Sequence, residues 1–142
     1  MTTIRYRLRT FQVATACVAD GPTVAGPYEA VQTLRAIFAD LDRDVEHFVV
    51  LALNVRGKVN GFKVVAQGTA TASLVHPACV FRAAMLLSAV TIIVAHNHPS
   101  GDLSPSEEDT SITQRLKDGG KLLGIPVIDH IIVTEKGYRS VA

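Results

Sequence analysis

Two kinds of hydrophobic spacing alternate along this chain. Residues 27–41 carry apolar side chains at helical spacing after Pro27, which predicts an amphipathic helix packed on a core. Residues 46–54 are almost continuously apolar after the first two, as in a central strand that is buried on both faces. The same reasoning predicts strands at 4–9, 59–65, 91–98 and 127–134, and helices at 77–87 and 105–118. Helices interleaved with strands predict an α/β (α+β) fold, in which helices flank a mixed β-sheet within a single domain.

Capping residues predict where the helix at 105–118 begins and ends. Ser104 is a good N-cap, Pro105 suits the first helical position, and Glu107 completes a capping box. The run Asp118-Gly119-Gly120 predicts the end of the helix, because glycine is favoured just beyond a C-terminus. Asp109 would then lie about one turn inside the helix.

Composition limits the class of protein. The 142 residues are 48% apolar and 19% charged, which suits one globular domain with a sizeable core. The net charge of +1 lacks the basic excess of typical nucleic-acid-binding domains. No apolar run approaches the roughly 18 residues that span a bilayer, so we expect no membrane association. Cys17 and Cys79 have no metal-ligand spacing and are predicted to be reduced thiols in the core.

The basic residues near the N-terminus allow two interpretations. Arg5, Arg7 and Arg9 alternate with apolar residues, which predicts a half-buried strand with one basic face. That face is either a solvated sheet edge or a contact for nucleic acid or an acidic partner. Three arginines without interleaved aromatic residues are weak evidence for a nucleic-acid contact, so the solvated sheet edge is favoured.

The same region loosely resembles a signal peptide. A basic start precedes residues 11–19, but Gln12 and Thr15 interrupt the apolar stretch. We therefore expect a cytoplasmic protein. Residues 1–26 would form an N-terminal strand and loop, and residues 27–142 the core of the domain.

The stretch that joins the strand at 91–98 to the next helix carries the candidate chemistry. His96 and His98 end that strand on one face, with Cα atoms roughly 6.6 Å apart. Asp109 follows eleven residues later, where a returning helix can bring a carboxylate to the same point. Two imidazoles, a carboxylate and an open fourth position describe a catalytic zinc site. A histidine pair alone is less specific, because it also occurs in unrelated metal sites and in hydrogen-bonded loops.

The spacing of Ser106 and Asp109 after the histidines makes the pattern specific. His96-x-His98, seven residues, Ser106, two residues and Asp109 resembles the signature of the JAB1/MPN/Mov34 metalloenzymes, the JAMM motif. The flanking sequence resembles the RadC-like branch of that family at 72–77, 96–102 and 120–127, with Asp129-His130 beyond them. The resemblance covers about residues 44–142 and implies the JAB/MPN (cytidine-deaminase-like) architecture.

The resemblance also implies a role for each site residue. His96, His98 and Asp109 would hold one Zn²⁺ per chain, and Glu46 would be the general base for a zinc-activated water. Ser106 would donate a hydrogen bond to the oxyanion that forms on the attacked carbonyl. The bond would be an amide in a peptide or isopeptide, so the expected partner is a protein or peptide substrate.

Glu46 has an alternative explanation. A charged residue that begins an apolar strand is costly to bury unless a site uses it. An exposed carboxylate at this position would instead pair with Arg43, as acidic groups on a surface often do.

Other polar residues near the site have simpler expected roles. His47 should point to the opposite side of its strand from Glu46 and serve structure. His76 precedes a helix and is expected to be a cap or loop residue. His130 is predicted to be a hydrogen-bonded core histidine rather than a ligand. Asp102 lies in the site loop, where its carboxylate would orient a ligand histidine.

The sequence leaves two other functions open. Longer RadC-like proteins carry an N-terminal helix-hairpin-helix domain, but only about 45 residues precede Glu46, so we expect no separate domain of that kind. The main alternative is a DNA-associated repair or accessory protein with a mainly structural metal site, which the net charge does not support. A catalytically silent interaction domain is the third, and the complete ligand set argues against it. Asn54 stands where many relatives have an acidic residue, outside the motif.

Overall fold

A computed structural model describes residues 21–68 and 71–141, and these residues build a five-stranded mixed sheet. The strands are β1 (His47–Leu53), β2 (Val59–Gln67), β3 (Thr91–Asn97), β4 (Val127–Val133) and β5 (Tyr138–Ser140). The helices are α1 (Pro27–Ala39), α2 (Thr71–Leu74), α3 (Pro77–Leu86) and α4 (Glu107–Leu123). The predicted fold class is confirmed. The predicted strand at 4–9 lies outside the described residues.

The order of the strands makes β1 and β3 neighbours. The sheet runs β2-β1-β3-β4-β5, with β1 antiparallel to both β2 and β3. β3 and β4 are parallel, and β5 pairs antiparallel with β4. Because a parallel pair needs a crossover, α4 connects β3 to β4. The N-terminus of α4 therefore lies at the carboxyl end of β3, beside the start of β1.

Helices cover both faces of the sheet. The buried side of α1 packs on one face, together with Val49, Leu51 and Leu53. Residues of α2, α3 and α4 pack on the other face, together with Phe48 and Val50. All seven residues of β1 are buried, which confirms the prediction of a central strand covered on both sides.

The predicted start of α4 is wrong by two residues. The N-cap is Ser106, not Ser104, and its partner in the capping box is Asp109 rather than Glu107. The Ser106 side chain accepts a hydrogen bond from the Asp109 N–H at 3.0 Å, and the Asp109 carboxylate accepts one from the Ser106 N–H at 2.9 Å. Both serines suit a cap by residue type, so the sequence pattern alone does not distinguish them. The N-cap is thus the serine whose capping box includes Asp109, the carboxylate of the candidate site.

The predicted end of α4 is also wrong. The helix continues through Gly119 and Gly120 to Leu123 and ends at Gly124, which adopts a left-handed conformation with φ of 73°. Gly120 is needed for close packing rather than for a turn, because a Cβ at this position would lie 2.5 Å from the Ile125 carbonyl oxygen. The last turn of α4 thus packs directly on the backbone that leads into β4.

Gly120→Ala should destabilise the fold by about 1–3 kcal/mol, the typical cost of overpacking a closely packed site. Alanine favours helix by about 1 kcal/mol relative to glycine, so the packing penalty has to exceed that gain. Gly119→Ala is the comparison, because its Cβ would lie 2.9 Å from the edge of the buried Phe81 ring, a side chain, rather than against a backbone oxygen. Urea unfolding of both variants measures the difference. Equal stability of the two would contradict the close approach at Gly120.

Other departures from the predictions are small. α1 ends at Ala39, two residues before its predicted end, and Leu41 still packs against the core. β2 extends to Gln67 because its pairing with β1 continues as far as His47. Cys79 is a free thiol that is partly exposed rather than in the core, and Cys17 lies outside the described residues. In the described ranges, no helix has the length and apolar character that crossing a bilayer requires.

Candidate metal centre

Three elements bring the candidate ligands to one end of the sheet. His96 lies in β3, directly opposite Phe48 of β1 in the antiparallel pairing. His98 follows the end of β3, Glu46 precedes the start of β1, and Asp109 lies in the first turn of α4. Because β1 and β3 run in opposite directions, the start of one meets the end of the other. The site therefore joins residues that are fifty positions apart in sequence.

The four side chains form a candidate metal-binding group. One ligand atom from each of Glu46, His96, His98 and Asp109 lies within 4.8 Å of all the others. The Nε2 atoms of the two histidines are 2.9 Å apart, and Asp109 oxygens lie 3.2 Å from that of His96 and 3.5 Å from that of His98. Donors that share a tetrahedral Zn²⁺ at about 2.0–2.2 Å are roughly 3.3–3.6 Å apart. The two distances to Asp109 involve different carboxylate oxygens, and all three separations lie within a few tenths of an ångström of that spacing.

The protonation of the cluster also suits a cation. Burial alone would raise the pKa of Asp109, but its hydrogen bonds with His96 and His98 outweigh burial and hold that pKa well below its usual range. Asp109 is therefore an ionised carboxylate, although its side chain is only 3% exposed. The hydrogen bond to Asp109 also raises the pKa of His98. A metal ion that binds here replaces protons as the positive partner of the carboxylate.

A backbone group orients His98. Its Nδ1 donates to the Asp102 carbonyl oxygen at 2.6 Å, which leaves Nε2 to face Asp109. The prediction that the Asp102 carboxylate would orient a ligand is therefore wrong. That carboxylate accepts a hydrogen bond from the Ser104 N–H instead, which lowers the pKa of Asp102. The loop orients His98 through a main-chain carbonyl group. Every residue type has that group, so the sequence cannot predict such a contact.

His96 is oriented by a side chain from the next strand. Its Nδ1 lies 2.9 Å from Nε2 of His130, and both imidazoles are fully buried. The Nδ1 atom of His130 lies 2.5 Å from the Thr113 hydroxyl of α4. His130 is thus a hydrogen-bonded core histidine, as predicted, and it is not in the candidate metal-binding group. Burial lowers the pKa of His130 to about 3, so this imidazole is neutral.

Glu46 lies at the edge of the group. Its Oε1 atom is 3.8 Å from His96 Nε2, and the side chain is 18% exposed. The Thr71 hydroxyl donates to that oxygen at 2.9 Å. The alternative of a surface pair with Arg43 is wrong, because Arg43 pairs with Glu135 at 3.3 Å. The carboxylate is held at the site by α2 rather than by a neighbouring surface charge.

Asn97 fixes the backbone on both sides of Glu46. Its side chain, between the two histidines in sequence, accepts a hydrogen bond from the His47 N–H at 2.7 Å. It also donates one to the Val45 carbonyl oxygen at 3.0 Å. The amide replaces a pair of backbone hydrogen bonds where the pairing of β1 with β3 ends. No sequence pattern singles out this residue, since an asparagine between two histidines is equally suited to a loop.

The remaining candidates lie outside the metal-binding group. Ser106 is exposed, and its hydroxyl oxygen accepts from the Asp109 N–H, which leaves the hydroxyl proton free to donate. His47 is buried, and its Nε2 lies 3.1 Å from the Asp42 carbonyl oxygen. His76 is the N-cap residue of α3, although its side chain makes no capping hydrogen bond.

A comparison with protein families identifies the fold and its motif. The family model of the RadC-like JAB domain matches residues 24–142. The chain belongs to this family. The RadC-like JAB assignment agrees with the resemblance found in the motif and with the mixed sheet described above.

Curated relatives of this RadC-like JAB chain are named UPF0758 proteins. The protein of Rubrobacter xylanophilus is 44% identical over 119 residues, which are 84% of this chain and 51% of that protein. The protein of Symbiobacterium thermophilum is 50% identical over 96 residues, or 68% of this chain and 41% of its own length. The protein of Methanosarcina barkeri is 47% identical over 95 residues, or 67% and 42%. The chain thus spans about half the length of these relatives.

Proposed function

We propose that this protein is a zinc-dependent hydrolase of amide bonds in peptides or isopeptides. The observation that carries the proposal is the position of Glu46 next to three well-spaced ligand groups. His96 Nε2 is 3.2 Å from Asp109 but 3.8 Å from Glu46, so the glutamate lies farther from this imidazole than Asp109 does. Three ligands with a carboxylate just beyond them is the arrangement of a catalytic zinc site rather than a structural one.

His96, His98 and Asp109 would hold the metal through two Nε2 atoms and a carboxylate oxygen. A bound Zn²⁺ supplies a Lewis acid that lowers the pKa of a coordinated water to about 7. The Glu46 carboxylate would accept a proton from the attacking water and deliver it to the nitrogen of the leaving amine. The Ser106 hydroxyl would donate to the carbonyl oxygen as negative charge develops on it.

A groove beside the group gives room for a polymeric substrate. It has a volume of about 830 Å³ and runs past His98, Pro99 and Ser100 between α1 and the end of β4. Its size lies within the range of ligand-binding clefts. Arg43 and Lys136 stand on its wall, together with acidic residues, so charges of both signs flank the path. A mixed rim supports a peptide as substrate more than a nucleic acid, which would require a basic surface.

The test is metal content combined with hydrolysis. The purified protein should contain about one zinc ion per chain, measured by inductively coupled plasma mass spectrometry. This is the content expected for one site with three protein ligands. It should cleave members of a quenched fluorescent peptide library or an isopeptide-linked reporter. Chelation should abolish cleavage, and added Zn²⁺ should restore it. A protein that binds no zinc after reconstitution would overturn the proposal, and salt-sensitive DNA binding without hydrolysis would favour the accessory role.

A further inference from the structure

We propose that Thr113 and His130 form a positioning relay that sets the tautomer of His96, so that its Nε2 carries a lone pair toward the metal. The inference rests on the proposed metal site and adds to it two residues that are not ligands. The relay, which consists of Thr113 on α4 and His130 on β4, contacts a candidate ligand on β3.

The relay is a continuous line of buried polar atoms. The Thr113 hydroxyl lies 2.6 Å from the Asp109 carbonyl oxygen and 2.5 Å from His130 Nδ1. His130 Nε2 lies 2.9 Å from His96 Nδ1. Thr113 is 5% exposed, and the two histidines are fully buried. Bulk water therefore does not reach these atoms, and their short contacts pair them with one another.

The contact between Thr113 and the Asp109 carbonyl oxygen determines where the protons of the relay lie. A carbonyl oxygen only accepts, so the short contact between the Thr113 hydroxyl and the Asp109 carbonyl needs the hydroxyl proton between them. The hydroxyl oxygen then has to accept from Nδ1–H of His130. A neutral imidazole has one donor and one acceptor, so His130 Nε2 accepts from Nδ1–H of His96. The line thus places a proton on Nδ1 of His96, so Nε2 carries the lone pair once a metal ion replaces the proton shared with Asp109.

The opposite direction of hydrogen bonding is excluded by the contact between Thr113 and the Asp109 carbonyl oxygen. If Thr113 donated to His130, two oxygen atoms without a proton would face each other at 2.6 Å. His130 would then donate from Nε2, and the proton of His96 would lie on Nε2, where it blocks metal binding. Only the first assignment gives each of the three contacts along the line one proton and leaves Nε2 of His96 as the nitrogen available to a metal ion.

The two ligand histidines therefore reach the same tautomer by different means. The partly exposed His98 donates its Nδ1 proton to a loop carbonyl, that of Asp102. His96 lies in the sheet interior, stacked against Phe48 with ring centroids 5.8 Å apart, where the relay takes the place of such a carbonyl. Partners of this kind typically contribute 10–100-fold to metal affinity.

The experiment compares Thr113→Val with Thr113→Ser. Valine keeps the shape of the side chain and removes the hydroxyl, whereas serine keeps the hydroxyl. We expect Thr113→Val to weaken zinc binding by about 10–100-fold in a competition titration with a chromogenic chelator. Thr113→Ser should bind zinc close to wild type. Equal zinc affinity of the valine and serine variants would overturn the relay, while zinc binding by the wild-type protein would leave the proposed function standing.

A second readout needs neither activity nor a variant. In the zinc-loaded wild-type protein, nitrogen-15 correlation spectra that identify the protonated ring nitrogen should place the proton of His130 on Nδ1. A proton on Nε2 of His130 would reverse the direction of the line and contradict the proposal, even if both Thr113 variants failed to fold. Failure of wild-type protein to bind zinc would instead remove the proposed function on which the relay rests.

Discussion

Glu46→Gln should lower the rate of amide hydrolysis by about 10²–10⁴-fold, the range that a general acid–base group contributes. Glutamine keeps the size of the side chain and can still accept the hydrogen bond from Thr71, but it cannot take up a proton at working pH. Zinc content should stay near the wild-type value, because His96, His98 and Asp109 supply the ligand atoms. Steady-state kinetics with a reporter peptide, together with metal analysis of the same sample, measures both quantities.

Glu29→Gln is the matched control for this substitution. It makes the same change of charge on an exposed residue in the first turn of α1, which belongs neither to the metal-binding group nor to the residues that line the groove. Its activity should equal that of the wild type. Full activity in Glu46→Gln would place the base elsewhere, and loss of zinc would make Glu46 a ligand rather than a base.

The fold could be predicted where one local property decided the structure. The unbroken apolar run of β1 predicted burial on both faces. One face is covered by α1, and the other face is covered by α2, α3 and α4. Gly119 and Gly120 misled the prediction because glycine serves two purposes. Near a helix end it favours a left-handed turn, but here Gly120 allows backbone contact and only Gly124 makes the turn. The nearest atom, the carbonyl oxygen of Ile125, is brought there by tertiary packing, which the spacing of residues along the chain does not encode.

The site divides in the same way. Ligand-type residues at strand and helix ends are visible in sequence, because the period of each element fixes which side chains share a face. Their partners are not visible. Asp102 was predicted to act through its carboxylate and acts through its carbonyl oxygen, and Thr113 meets His130 across two elements. Such contacts depend on how α4 lies on the sheet, and no local pattern reports that angle.

Asp109→Asn should weaken zinc binding by more than about 100-fold, because loss of a ligand exceeds the 10–100-fold effect of its outer partners. The amide is nearly the same size and its oxygen can still accept from the Ser106 N–H, so the capping box and the start of α4 should persist. The substitution removes the negative charge of a buried carboxylate, which the hydrogen bonds with His96 and His98 keep ionised. Competition titration gives the affinity, and circular dichroism checks the helix content.

Glu108→Gln provides the comparison, because it removes one negative charge from the exposed neighbour in the same helical turn. A general electrostatic attraction of zinc to the acidic first turn of α4 would weaken binding similarly in both variants. If zinc is coordinated by Asp109, only Asp109→Asn should weaken binding, since the Asp109 oxygens lie 3.2 Å and 3.5 Å from the Nε2 atoms of His96 and His98. Similar affinities for the two variants would therefore remove Asp109 from the ligand set. Because Asp109 also closes the capping box, a folded Asp109→Asn protein that lacks zinc would show that helix start and metal site use the same side chain for separable purposes.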